Sequence, residues 1–366
     1  MKINYMTVNG LFGKPGITTY KFNSDLNILT GMNGSGKTTV MKLAWAIISG
    51  NILLALREVN FKSCTVDTDE YNCTVIRTGS MYCKVELEID DDYIVLEDDV
   101  DDSENYAEYA EDKAHSLMIG KGSSIFFPTF RRIEGGFSIT PATPTRTRAG
   151  NKSNGELEDS LVSISRKLSN EGHSFVAALS SQDIVSLLLK RYATLSEEIN
   201  TFQGEVTKSV IEKIRQYEKT QNNRQDADSL LSETRAEIEK IEEFSLRTLT
   251  PLNAVRNLVE RLFRHSGISF GTRLSFGDAA AAVTSDALSA GEKQMLSFIC
   301  YNAFHKNSII FIDEPELSLH VDWQRKLYSI LESQESGNQF IFATHSPFIY
   351  AKYPDKEVSV GVDKGE

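Results

Sequence analysis

Residues 26–38, LNILTGMNGSGKT, restrict this chain more than any other stretch. An apolar five-residue run enters a loop of G-x-x-x-x-G-K-[ST] form, Gly31 to Thr38. TTVMKLAWAII follows with helix-forming composition, placing Val40, Leu43, Ala44, Ile47 and Ile48 on one face. Strand, glycine loop and helix in this order are the context of a phosphate-cradling loop. Gly31, Gly34 and Gly36 let the backbone turn its N–H groups toward phosphate oxygens, and the helix start adds the positive end of a dipole. Lys37 is expected to reach the β- and γ-phosphates and Thr38 to offer its hydroxyl to Mg²⁺, with Asn33, Ser35 and Thr39 completing the loop contacts. The ligand implied is a nucleotide.

A phosphate loop needs acids on a neighbouring strand, and IIFIDEPE (309–316) supplies them. Four apolar residues deliver Asp313 and Glu314 to a strand end. Asp313 is placed to hold the metal shell, and Glu314 to accept a proton from, or orient, an attacking water. NQFIFATHSP ends a further strand at His345, a candidate donor to the γ-phosphate. The fourth segment is LSAGEKQ (288–294), where Ser289 and Gly291, with Glu292 beside them, stand at the start of a second helix. One loop already grips the triphosphate. A second anion-binding helix start finds a use if two chains pair head to tail, each capping the γ-phosphate held by the other.

Together these segments resemble an ABC-type ATPase head. GMNGSGKT resembles Walker A, LSAGEKQ the ABC signature, IIFIDEPE Walker B with the catalytic glutamate, and ATHSP the switch histidine. ELSLH (316–320) stands where the D-loop would be and departs from the transporter form. The resemblance covers about residues 1–135 and 270–366 and is closest to the branch of RecF, SMC proteins and OLD-family ATPases. LSAGEKQ, IDEPELSLH and FFPTFRRIEGG are similar to segments of bacterial anti-phage ATPases, PtuA-like or retron-associated. It implies an α/β ABC-type P-loop head with a mixed sheet and an antiparallel β lobe. It also implies a homodimer or higher oligomer closed around ATP, and a separate nuclease or toxin as effector. Two departures stand out. No Q-loop glutamine is recognisable, although Arg131 and Arg132 lie in that region, and the residues after His345 are too few for a Toprim nuclease domain.

The expected head is discontinuous, residues 1–160 and 270–366, around a helical insertion at 161–269. In the insertion, Leu195, Ile199, Phe202, Val206, Val210, Ile214 and Tyr217 recur at steps of three or four. Leu230, Thr234, Ile238, Ile241 and Phe244 continue the spacing after a polar break. An antiparallel hairpin of two helices satisfies this pattern, and so does an ordinary helical subdomain. KVELEI and YIVLE alternate as antiparallel strands, and residues 138–159 have loop composition.

Composition narrows the remaining choices. A formal net charge of −12 argues against a chain that coats nucleic acid. The stretch Arg131, Arg132, Arg146, Arg148 and Lys152 leaves DNA open as a partner, and a solvated loop accounts for it equally. The acidic run at 97–112 is expected to be solvated. Cys64, Cys73, Cys83 and Cys300 are spaced as isolated core thiols. No apolar run approaches the roughly 18 residues of a membrane span. The N-terminus has no apolar signal region, so a cytoplasmic chain is expected. Three functions remain: a defence ATPase controlling an effector, a RecF-like repair ATPase acting on DNA, and a scaffold that binds ATP with little turnover. Glu314 argues against the last.

Overall fold

The computed structural model describes residues 1–90, 92–98, 108–129, 131–133, 152–179, 181–219, 224–262 and 289–361. The middle of the acidic run, Arg146, Arg148 and Leu288 lie outside the described residues. The chain forms two compact units. One comprises Met1–Ser180, Ser289–Phe298 and His305–Glu366, the other Ser181–Leu288 and Ile299–Phe304.

The first unit is α/β, with one antiparallel and one parallel six-stranded sheet and a two-stranded parallel pair, β9 Arg132–Ile133 and β11 Ala178–Leu179. The antiparallel sheet runs β2-β1-β4-β5-β6-β7, with β1 Ile3–Asn9, β2 Ile17–Lys21, β4 Ser63–Thr68, β5 Tyr71–Arg77, β6 Cys83–Ile89 and β7 Asp92–Leu96. Its strands alternate buried and part-exposed residues, as one covered face requires. The parallel sheet runs β10-β8-β12-β13-β3-β14, with β3 Leu26–Thr30, β8 Ser124–Phe127, β10 His173–Phe175, β12 Ile309–Asp313, β13 Gln339–Ala343 and β14 Glu357–Ser359. Strands β3, β8, β12 and β13 are buried at every position, because a parallel sheet is covered on both faces.

Helix α1, Lys37–Ile48, packs on β12 and β13 and also on β4 and β5, so it lies between the two sheets. Met41, Trp45 and Ala46 are therefore buried along with the expected Val40, Leu43, Ala44, Ile47 and Ile48. A helix covered on two sides has no polar face to show in its sequence. Two short helices follow among the strands, α2 Ile52–Glu58 and α3 Ala110–Met118. Helix α4, Lys152–Leu168, takes up residues that composition assigned to a loop. Its turn-like start, KSNG, conceals the helix that GELEDSLVSISRKL continues.

The second unit contains α5 Ser181–Lys219 and α6 Arg224–Leu262, which pack together as an antiparallel hairpin. The Phe202 and Phe244 rings stack at 4.2 Å, and Lys213 pairs with Glu233 at 3.3 Å and Glu237 at 3.4 Å. The seam differs from the apolar spacing at one place: the Glu237 side chain is 18% exposed, while Ile238 beside it is 51% exposed. The first unit also holds the start of α7 Ala290–Phe304, together with α8 Val321–Glu332 and α9 Pro347–Tyr350. No helix among the described residues is long and apolar enough to cross a membrane.

Candidate functional site

Register in the parallel sheet brings the sequence motifs to one edge. Asp313 is level with Ala343, Ala343 with Leu29, and Ile312 with Phe127. The carboxyl ends of β12, β13, β3 and β8 therefore deliver Asp313–Glu314, Thr344–His345, the glycine loop and Pro128–Thr129 side by side. Ligands of open α/β sheets gather at this edge.

The loop wraps a cavity of about 630 Å³ lined by Phe12, Lys14, Met32, Asn33, Gly34, Ser35, Gly36, Lys37, Thr38, Thr39, Glu314, His345 and Gly361. Gly36 has a φ of 99°, and a Cβ there would fall 2.3 Å from the Phe12 ring, so both conformation and space demand glycine. No side chain caps the N-terminus of α1, and the buried Ser35 hydroxyl has no hydrogen-bond partner. Unpartnered donors at a helix start, beside a buried ammonium, fit a phosphate group.

Lys37 is 4% exposed; its Nζ donates to the carbonyls of Gly31 at 3.3 Å and Met32 at 3.4 Å. Nζ also lies 2.7 Å from Nε2 of His345. An ammonium only donates, so the imidazole accepts there. The same Nε2 is 3.5 Å from a Glu314 carboxylate oxygen. Lysine, histidine and glutamate from three strand ends thus meet at one point of the cavity wall.

Thr38 donates to Oδ1 of Asp313 at 2.9 Å, and the Thr129 hydroxyl donates to Oδ2. Asp313 is fully buried. Burial pushes its carboxyl up, opposed by the hydroxyls of Thr129 and Thr38 and by the Arg131 charge. A buried carboxylate facing a threonine hydroxyl is a hard-oxygen set that suits Mg²⁺.

Glu314 has a φ of 48°, in the left-handed region, and its N–H donates to Ala343 O at 2.8 Å. Its carboxyl is pushed up to about 8, first by burial, then by a hydrogen bond to Glu316 and the charges of Glu316 and Asp313, with Lys37 opposing. Glu316 in turn accepts from the Thr344 hydroxyl at 2.7 Å and from His345 N at 2.8 Å. It fixes the turn that presents the histidine.

The signature residues lie elsewhere. Among the described residues lining the cavity, none comes from Ser289–Gln294. Ser289 begins α7 in a capping box: Ser289 N and Oγ each donate to Glu292 Oε2 at 2.8 Å, and Glu292 N donates back at 3.3 Å. A Cβ on Gly291 would lie 2.3 Å from Ser318 O, so this glycine lets the signature helix touch the turn after β12 within the same chain.

Phe12, Thr129 and Glu316 were not expected from sequence as site residues. Arg131 belongs to the basic stretch that leaves nucleic acid open as a partner. The structure overturns that for Arg131, which is 8% exposed with its guanidinium on backbone carbonyls. Only its place just past the end of β8 signalled proximity to the site.

A family model described as "AAA domain, putative AbiEii toxin, Type IV TA system" matches residues 87–351. The chain belongs to this family. The match includes the Asp313–Glu314, Ser289 and His345 segments and begins after the glycine loop, whose assignment rests on the geometry above. A "Retron Vc95 probable ATPase" of Vibrio cholerae serotype O1 biovar El Tor is 22% identical over 383 residues, covering 95% of this chain and 71% of that protein. Among solved structures, the Smc head domain with an extended coiled coil bound to the C-terminal domain of ScpA, from Pyrococcus furiosus, is similar with a TM-score of 0.37. It is 11% identical, covering 96% of this chain and 91% of that one. A SmcHead bound to the C-winged helix domain of ScpA gives 0.44 and 12%, covering 100% and 96%.

Proposed function

We propose that this chain binds and hydrolyses ATP, closes as a homodimer around it, and controls a separate nuclease or toxin in anti-phage defence. The observation that carries the catalytic reading is the convergence of Lys37, Thr38, Asp313, Glu314 and His345 on one sheet edge around the glycine-loop cavity.

In this reading the α1 amides, the Ser35 hydroxyl and Lys37 bind the phosphates, and His345 donates to the γ-phosphate. Thr38 and Asp313 would hold Mg²⁺, which neutralises phosphate charge when bound. Glu314 takes a proton from the attacking water as the water oxygen bonds to the γ-phosphorus. The bond from that phosphorus to the bridging oxygen breaks, and ADP leaves with the electron pair. Burial raises the proton affinity of this carboxyl, and its ionised form is the one that accepts the proton.

Pairing is supported by the signature helix. Its Ser289 does not line the cavity of its own chain, so its proposed γ-phosphate contact falls to a second copy. The defence assignment is supported by the family's description and by the retron ATPase relative. Loss of the γ-phosphate removes the contact both heads share and biases the pair toward opening.

Glu314→Gln tests the reading. The variant is expected to bind Mg-ATP, sediment as a dimer and lose turnover. Hydrolysis at the parental rate would refute the assignment of the base.

A further inference from the structure

Arg131 is a buried cation without a carboxylate hydrogen-bond partner among the described contacts. Its Nη1 donates to Pro128 O at 3.1 Å and Asp313 O at 2.6 Å, and its Nη2 to Glu314 O at 2.8 Å. The guanidinium carbon sits 5.5 Å from the centre of the Phe298 ring. Burying a charge is costly, and an arginine spent on backbone carbonyls has to hold a backbone that would otherwise move. The backbone in question is the Asp313–Glu314 corner. A non-glycine residue in the left-handed region persists only where its surroundings over-determine it. Three bonds do so for Glu314: its N–H donates to Ala343 O, and its carbonyl accepts from Leu317 N at 3.2 Å and from Arg131. Thr129, two residues before Arg131, holds the Asp313 carboxylate from the same segment.

We propose that Arg131 is a positioning residue for hydrolysis: its planar fork locks the left-handed corner of Glu314 and so aims that carboxylate into the glycine-loop cavity. The segment after β8, where no glutamine stands, thereby acts on the acid-bearing corner. Arginine is specific for this task. Two nitrogens in one plane span the carbonyls of consecutive residues, and the single Nζ of lysine does not. The inference rests on the ATPase reading above.

The test is a cycle of Arg131→Lys and Arg131→Gln, each in the parent and in Glu314→Gln, with kcat, KM and Mg-ATP affinity measured on the full chain. In the parent, both changes are expected to lower kcat by on the order of 10- to 100-fold, with KM and affinity within about 3-fold. In the Glu314→Gln background they are expected to change the residual rate by less than about 2-fold, because a residue acting through Glu314 has nothing left to aim. Unchanged kcat in the parent, full additivity in the cycle, or loss of folding or of ATP binding in both variants would each overturn the proposal. A parent that binds but never hydrolyses ATP would overturn the ATPase reading as well, which separates the two failures.

Discussion

The two edges of the parallel sheet are both polar, yet they are built for different ends. At the amino-terminal edge the side chains are mostly neutral and closed on one another. Gln339 accepts from Ile3 N and donates to the carbonyls of Ile3 and Asn23. Asn338 accepts from Ser308 N and donates to His305 O, and His173 pairs with the Ser124 hydroxyl. At the carboxyl-terminal edge stand an ammonium, three carboxyl groups and an imidazole. Beside them are an unpartnered Ser35 hydroxyl, a left-handed Glu314 and a cavity of about 630 Å³. Buried polarity alone does not mark a site. Concentrated charge, strained backbone and an orphaned donor, gathered around a cavity, do.

The sharpest way to break this comparison is to swap one residue at each edge. Lys37→Ala is expected to lower ATP turnover by on the order of 10³-fold while the melting temperature stays close to the parent's. Gln339→Leu should do the reverse. Stranding its three backbone partners should cost about 2–4 kcal/mol in chemical denaturation, with kcat of the folded protein within about 2-fold. A Gln339 variant that folds normally but loses turnover would erase the distinction.

Acid sharpens the contrast. Burial pushes the His173 imidazole down to about 4, with His115 adding repulsion. Between that value and the ordinary 6.5 the unfolded chain binds the proton and the folded chain does not. Stability is therefore complete above about pH 6.5 and falls toward pH 4, by up to about 3 kcal/mol. Denaturant melts across this window should show the loss, and His173→Gln should flatten it. The smallest expected effect is at the cavity rim. Phe12→Ala removes the ring over the glycine loop and should raise KM for ATP by about 3- to 10-fold with kcat nearly unchanged, as read from initial rates.

The same contrast explains what was legible in the sequence. Strand, glycine loop and helix form a contiguous signal, since consecutive residues must supply the turn and the dipole end. IIFIDEPE and FIFATHSP were readable because an apolar run ending in chemistry has one natural home, a buried parallel strand and its carboxyl end. Arg131 was not readable, because its partners are the carbonyls of residues 182 and 183 positions away. Phe12 acts through a contact that exists only once β1 and β3 have docked, and Glu316 through one that needs β12 beside β13. Hydrophobic spacing places Ile238 at the hairpin seam, yet Ile238 is exposed and the Glu237 side chain, paired with Lys213, is the less exposed of the two; the spacing carries no record of that pair.

In the proposed function the charged edge is half of a catalytic site, completed by Ser289 of a second copy. This pairing is tested most directly by mixing two inactive variants, Lys37→Ala and Ser289→Arg. Random pairing puts about half the chains in mixed dimers, each with one of its two sites intact, so the mixture should recover about a quarter of parental turnover. A mixture as inactive as its components, or a Ser289→Arg chain as active as the parent, would contradict the account.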